Sequence, residues 1–244
     1  SGELDNGYTV STTYAMTNAA FSYSVVTIDM GDMGTVGLYN NSGGAGLTKY
    51  YDTMPTAGEQ VWDDSDADDN GLPLHDNDNM LGYNGTFGGL GVSLAYVNGG
   101  AGGVGGGASD SSWVLTYDGL MDGLSVGLGM GENGTTQDLS TIWAKYTAGS
   151  ITFGFQKSEV DNTGSTADEE STAIAASIAV NENLSISAGK HDVDMGAGKV
   201  DEESTGVSAS YTMGSTTIGF VANSTDNVAG TSGSDDSFRE IAVS

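Results

Sequence analysis

Apolar residues recur at every second position through almost the whole chain, and this narrows the fold more than any other feature. Leu124, Val126, Leu128 and Met130 alternate with Ser125, Gly127 and Gly129. Ile151, Phe153 and Phe155 alternate with Thr152, Gly154 and Gln156, and Val207, Ala209, Tyr211 and Met213 with Ser208, Ser210 and Thr212. Successive strand side chains point to opposite faces, so a period of two reads as strand. The second face carries small polar residues or glycine in strand after strand. A soluble barrel or sandwich would need a thick apolar core, and no segment supplies one. One greasy face and one small polar face suit a barrel with lipid outside and water inside.

Strands are expected at about 8–17, 21–30, 34–40, 80–87, 90–97, 111–118, 123–130, 140–148, 150–158, 171–180, 183–191, 204–213, 215–223 and 237–244. Their connections alternate in kind. Tight turns lie at 31–34, 87–90, 118–123, 148–150, 181–183 and 213–215, and long loops near 41–79, 98–110, 131–139, 159–170, 192–203 and 224–236. Short turns on one rim and long loops on the other describe an up-and-down membrane barrel. The short connection at 18–20 is the exception, since it falls on the long-loop rim. Ten residues rising ~3.3 Å each, at a tilt of about 45°, climb roughly 23 Å, close to the ~25 Å apolar band of such barrels.

Aromatic residues gather at strand ends, with Phe21, Tyr96, Trp113 and Phe238 towards the long-loop rim and Tyr8, Tyr117, Tyr146 and Tyr211 towards the short-turn rim. Such side chains favour an interface that is apolar at one end and wet at the other. Lys145 shares a face with Thr141 and Trp143, opposite Ile142, Ala144 and Tyr146. The pattern therefore points Lys145, and Trp143 with it, into the lumen.

Of 244 residues, 33 are acidic and 6 basic, giving a formal charge of −27; there is no cysteine. Disulfides and cysteine-based zinc sites are excluded, and the acidity argues against nucleic acid, which needs Lys and Arg to neutralise phosphate. Twenty of the 33 acidic residues fall in 63–78, 159–170, 192–203 and 226–236, all long loops. Strand interiors are nearly free of charge, as a lipid-facing wall requires. The opening Ser1-Gly-Glu-Leu4 has no features of a signal peptide, and Leu4-Asp-Asn-Gly7 reads as a tight turn. The expectation is a strand ending at the N-terminus whose start is missing.

The chain resembles a general diffusion porin of Gram-negative bacteria. The residues that carry the resemblance are Ser1–Gly7, the turn and strand Gly31-Asp-Met-Gly-Thr-Val-Gly-Leu-Tyr39, and the acidic insertion that follows. The strand–loop rhythm over the whole chain carries more of it. The resemblance implies an all-β, antiparallel transmembrane barrel of 16 strands in the intact protein, about 14 of them present here. It implies one barrel over 1–244, with 41–79 as a constriction loop folded into it. Aligning that loop makes strand 34–40 the fifth and 237–244 the sixteenth. The family commonly ends in an aromatic residue, whereas this chain stops at Ser244 after Ile241 and Val243; a few further residues are expected. Also implied are the bacterial outer membrane, lipid and lipopolysaccharide around the wall, passive diffusion of small hydrophilic solutes and ions, and a homotrimer. The tiny 18–20 connection argues against a trimer latched by that loop.

In such a channel the width and charge of the constriction decide what passes. Asp63, Asp64, Asp66, Asp68, Asp69, Asp76 and Asp78 form a run without a Lys or Arg, and acidic rings favour cations. The wall cations expected to face them are Lys145, Lys157, Lys190 and Arg239. Solvation of the run outside the mouth is the bland reading of the same residues. No cofactor is required. Asp66-Ala-Asp68-Asp-Asn70-Gly71 matches the opening of a calcium loop, making Asp66, Asp68 and Asn70 candidate Ca²⁺ ligands, but Asn77 replaces the closing Glu and Pro73 interrupts. No G-x-S-x-G, phosphate-binding Gly-Lys or H-E-x-x-H motif occurs, and the only histidines are His75 and His191. Enzyme function is therefore not expected. The alternative is a secreted acidic calcium-binding β protein of adhesin or surface-layer type, which should show G-G-x-G-x-D repeats or inward packing of its large residues. The chain has no such repeat.

Overall fold

The computed structural model describes residues 1–17, 20–63, 65–68, 72, 79–99, 108–164, 166–196 and 198–244. Fifteen strands follow one another: β1 Gly2–Glu3, β2 Thr9–Thr17, β3 Ala20–Asp29, β4 Thr35–Asn40, β5 Asn79–Phe87, β6 Leu90–Val97, β7 Asp110–Tyr117, β8 Leu124–Asn133, β9 Gln137–Ala148, β10 Ile151–Asn162, β11 Glu169–Ala179, β12 Leu184–Asp194, β13 Glu202–Met213, β14 Thr216–Asp226 and β15 Asp236–Val243. They form one antiparallel sheet in sequence order, with β1 and β15 as its edges. This is the wall of a transmembrane β-barrel. The fourteen expected strands all form, and β1 lies ahead of the turn at Leu4–Gly7. Strands β8 to β14 run further into the long-loop side than periodicity indicated. Gln137–Asn162 pairs continuously from Val160↔Leu139 to Asn162↔Gln137, beyond the last apolar residue.

Register fixes which side chains share a face, because residues directly opposite in an antiparallel pair point the same way. Leu128, Phe153 and Tyr211 stand on the outer face and are 44%, 52% and 42% exposed. These outward apolar residues are thus not packed on one another in a dry interior. Phe21, Tyr96, Tyr146 and Tyr211 are exposed on this outer face, and Trp113 lies opposite Leu94 and Met130. Phe238 departs from expectation. It pairs with Asn223, an inner-face residue, while Arg239 pairs with Ala222 and Ile241 with Phe220. In β15 Phe238 and Ile241 fall on opposite parities, so apolar character alone does not reveal the face of either.

The inner face holds what buried core there is. The described residues of the segment between β4 and β5, 41–63, 65–68 and 72, lie against it and hydrogen-bond to side chains from β5 to β15. Gly46 N–H donates to Ser93 Oγ at 2.8 Å, Leu47 N–H to Ser112 Oγ at 3.1 Å, and Ala57 N–H to Ser187 Oγ at 2.9 Å. Small wall residues let the backbone come this close. The inner face of β8 is Gly127, Gly129 and Gly131. A Cβ at Gly129 would lie 2.8 Å from Leu47, and one at Gly131 would lie 2.9 Å from it. The glycine face that reads in sequence as mere alternation is the seat of Leu47, which is buried with Leu72, Val114, Leu139 and Val160. A second buried cluster joins Met54, Val61 and Trp62 of the segment to Ala173 of β11.

Candidate functional site

Gln156 of β10 is the post on which the middle of the segment hangs. It is 2% exposed. Its Oε1 accepts from Thr53 N–H at 3.3 Å and Thr53 Oγ1–H at 2.7 Å, and its Nε2 donates to the carbonyls of Tyr50 and Tyr51, each at 3.2 Å. Further along, the hydroxyls of Thr56, Ser187 and Ser208 meet within 3.4 Å. Asn223 Nδ2 donates to the carbonyls of Gln60 at 2.8 Å and Asp63 at 3.0 Å. These wall residues are amides and hydroxyls rather than charges, so they satisfy a non-regular backbone inside the lumen without burying ions.

The segment occupies two levels. Its deeper part runs past Gln156, Ser187 and Ser208, well below the long-loop ends of β10, β12 and β13, and reaches Ser93 of β6 and Ser112 of β7. Lys49, Tyr50 and Asp52 belong to that level. Tyr50 stacks on Trp143 at 6.2 Å and 17°, Lys49 Nζ lies 5.4 Å from the Tyr50 ring, and Lys145 Nζ lies 5.5 Å from the Trp143 ring. The indole lies flat because Gly127 faces it: a Cβ there would come within 2.3 Å of the ring. Asp52 Oδ1 accepts from Gln60 Nε2 at 2.6 Å. Burial, and after it the charge of Asp63, pushes the Asp52 carboxyl up to about 6, against the pull of Lys145 and the Gln60 donor.

The acidic run lies higher. Asp63 Oδ2 accepts from Gln60 N–H at 2.7 Å. Asp66 N–H donates to Asp236 at 3.2 Å, and Asp68 N–H to Glu202 Oε1 at 2.7 Å. Glu202 opens β13 and Asp236 opens β15, so both stand at the long-loop mouth. The other Glu202 oxygen accepts from Ala229 N–H at 2.8 Å, tying the segment to the loop before β15. Asp64, Asp69, Asp76 and Asp78 lie outside the described residues, as do His75, Asn70 and the 18–19 connection. No group of three or more His, Asp or Glu that could share a metal ion occurs among the described residues, so the calcium reading rests on the motif alone.

Three of the four expected wall cations face the other way. Lys157 has the parity of Phe153 and Phe155 and pairs with Ile142, which is exposed on the outer face. Its ammonium sits between Glu159 at 3.1 Å and Glu170 at 2.9 Å. Lys190 pairs with Ile174 on the same outer face and reaches Asp192 at 2.9 Å and Glu203 at 2.7 Å. Arg239 pairs with Ala222, on the parity of Ile241. The reason is position along the strand. Above the apolar band the outer face turns polar, so a lysine there need not point inward. Lys145 stands on the inner face, opposite Gly154 and Ser125.

Sequence reasoning passed over Lys49, Asp52 and Gln156. The first two lie in a loop, where no periodicity assigns a face. Gln156 reads only as the polar half of an alternating pair. His191, fully buried with its ring 4.7 Å from Trp62, was likewise unremarkable by pattern; neither ring nitrogen has a hydrogen-bond partner among the described residues.

A family model described as Gram-negative porin matches residues 1–244. Among solved structures, an anion-selective porin from Comamonas acidovorans superposes with a TM-score of 0.68 at 17% identity, covering 92% of this chain and 77% of that one. OmpT, an outer membrane protein of Vibrio cholerae, gives 0.67 at 15% identity, covering 92% and 79%. A mutant porin of Rh. blastica gives 0.67 at 17% identity, covering 99% and 86%. A comparison with curated proteins finds no match.

Proposed function

The chain belongs to the Gram-negative porin family, and from that premise we propose that its lumen conducts small hydrophilic solutes and ions with a preference for cations. An outer-membrane channel rather than an enzyme follows from the family itself; charge preference and the narrowing role of segment 41–79 are the finer reading. That reading is carried by the gathering of Asp63, Asp66, Asp68, Glu202 and Asp236 where the segment meets β13 to β15. Carboxylates grouped within the ~8 Å Debye length of physiological salt add their potentials, and a narrow mouth of low-dielectric walls focuses them. Cations are concentrated at this rim before they meet the mixed charges of Lys49, Lys145 and Asp52 below.

The contacts of segment 41–68 from β5 to β15 support its role as the constriction. A homotrimer set in lipid and lipopolysaccharide is the assembly we propose, by likeness to the family. The secreted calcium-binding alternative gives way to the family assignment. Reversal potentials in a planar bilayer under a KCl gradient test the charge preference. Cation preference that weakens in Asp66→Asn/Asp68→Asn supports it, and anion preference of the unaltered channel refutes it.

A further inference from the structure

Lys49 is unlike the cations of the outer wall. Lys157 and Lys190 are each bracketed by two carboxylates, whereas the Lys49 ammonium donates to Asn84 Oδ1 at 2.9 Å and has no carboxylate partner among the described residues. Its side chain is exposed at the inner face, and burial of its surroundings draws its pKa below the usual lysine value. Asn84 is committed elsewhere as well: its Oδ1 also accepts from Ser93 Oγ, and its Nδ2 donates to the Gly44 carbonyl. The amide therefore holds the lysine in place without neutralising it, and leaves the ammonium donors free to bind. In a chain of charge −27, a cation on the inner face with no carboxylate partner among the described residues is a conspicuous exception.

The ammonium opens into a recess of about 360 Å³ on the short-turn side of the segment, lined by Asp32, Lys49, Tyr50, Asn84, Thr86 and Thr116 among others. The Tyr50 ring is backed by Trp143, so one wall is an aromatic plane. Resting on the channel reading above, we propose that this recess is a docking site for the anionic group, carboxylate or phosphate, of a small permeating solute. Lys49 supplies the charge, the Thr86 and Thr116 hydroxyls supply polar contacts, and the tyrosine face accepts the solute's carbon skeleton. A charge-assisted hydrogen bond from the ammonium to an anionic oxygen is stronger than one between neutral groups. Asp32 lies on an exposed turn, where solvent screens its repulsion. The recess would retain an anionic solute after the acidic mouth had selected against free anions, a division of labour between the two levels.

The test is single-channel K⁺ current with sodium lactate, sodium phosphate or glycerol added from the short-turn side. Saturable reduction of the current by lactate or phosphate, with glycerol inert, is expected, and which anion saturates at the lower concentration distinguishes the two chemistries. Lys49→Met should raise the half-saturating concentration at least tenfold, and Lys49→Arg should restore it. Asn84→Asp, which places a carboxylate on the lysine, should weaken the block as much without removing the cation. Lys157→Met, on the outer face, should leave it unchanged. A conducting channel with only linear, unsaturable effects of both anions overturns the site, as does a Lys49→Met channel blocked like the parent. Absence of any conductance from folded, heat-modifiable protein would overturn the channel reading instead.

Discussion

Replacing Gln156 by methionine keeps length and flexibility but removes every polar atom that holds the centre of segment 41–78. Four bonds to the segment are lost, from Thr53 N–H and Oγ1–H and to the carbonyls of Tyr50 and Tyr51. A net hydrogen bond contributes about 1 kcal/mol. Three of the four are long, at 3.2–3.3 Å, which lowers the sum to about 2–3 kcal/mol. At about 1.4 kcal/mol per tenfold, the population of unseated segment should rise roughly 30- to 150-fold. The wall should not suffer, because β10 is paired to β9 along its whole length and to β11 from Ile151 to Val160. Gln156→Met is therefore expected to fold with unchanged heat-modifiable mobility, yet to show greater open-channel current noise and a higher mean conductance. Segment motions on the μs–ms scale fall within reach of such recordings. An intact Gln156→Met channel with the parent's noise and conductance would show that the post bears none of the load assigned to it.

Three further outcomes follow from the same geometry. Asp52, with its carboxyl raised to about 6, binds its proton more readily in the folded channel than in the unfolded chain. Its charge is thus lost as pH falls through about 6, and stability from this group rises as pH is lowered over the same range; cation preference should weaken between pH 7 and 5, and Asp52→Asn should remove that step. Lys145→Met should alter the reversal potential, whereas Lys157→Met and Lys190→Met should not, since their side chains stand on the outer wall; an effect of either outer lysine equal to that of Lys145 would contradict the register. Gly127→Val would press on the Trp143 ring; overpacking of about 1–3 kcal/mol should shift tryptophan emission and lower the temperature at which the barrel unfolds on a gel.

The wall was legible because lipid and water impose different demands on alternate residues. Phe153, Phe155 and Gly154 announce their faces without reference to anything distant. Where that demand lapses, pattern loses its authority. Lys157 continues the parity of Phe155 but sits above the apolar band, where either face is wet, so the sequence could not say which way it pointed. In β15 the same ambiguity misplaced both Phe238 and Arg239. The inner surface failed for another reason: its selection is for small volume and hydrogen-bonding capacity, which Ser93, Ser112 and Ser187 share with any polar residue. Only the path of the segment distinguishes a serine that holds a backbone N–H from one that merely meets water.

The two levels of charge also explain why composition alone misleads about the passage. Outside, Lys157 and Lys190 relieve carboxylates that oppose one another directly across strands, as Glu159 does Glu170 and Asp192 does Glu203. Like charges so placed destabilise a sheet, and the lysines answer that local repulsion, contributing nothing to the lumen. At the deeper level of the inner face the cations are Lys49 and Lys145, both against aromatic rings, while Lys199 lies near Glu202 at the mouth. On the proposed channel reading, a solute descending through the mouth meets the carboxylates first and Lys49 and Lys145 second. Net charge forecasts the first encounter; the second depends on two lysines, one of them in a loop whose course no periodicity describes.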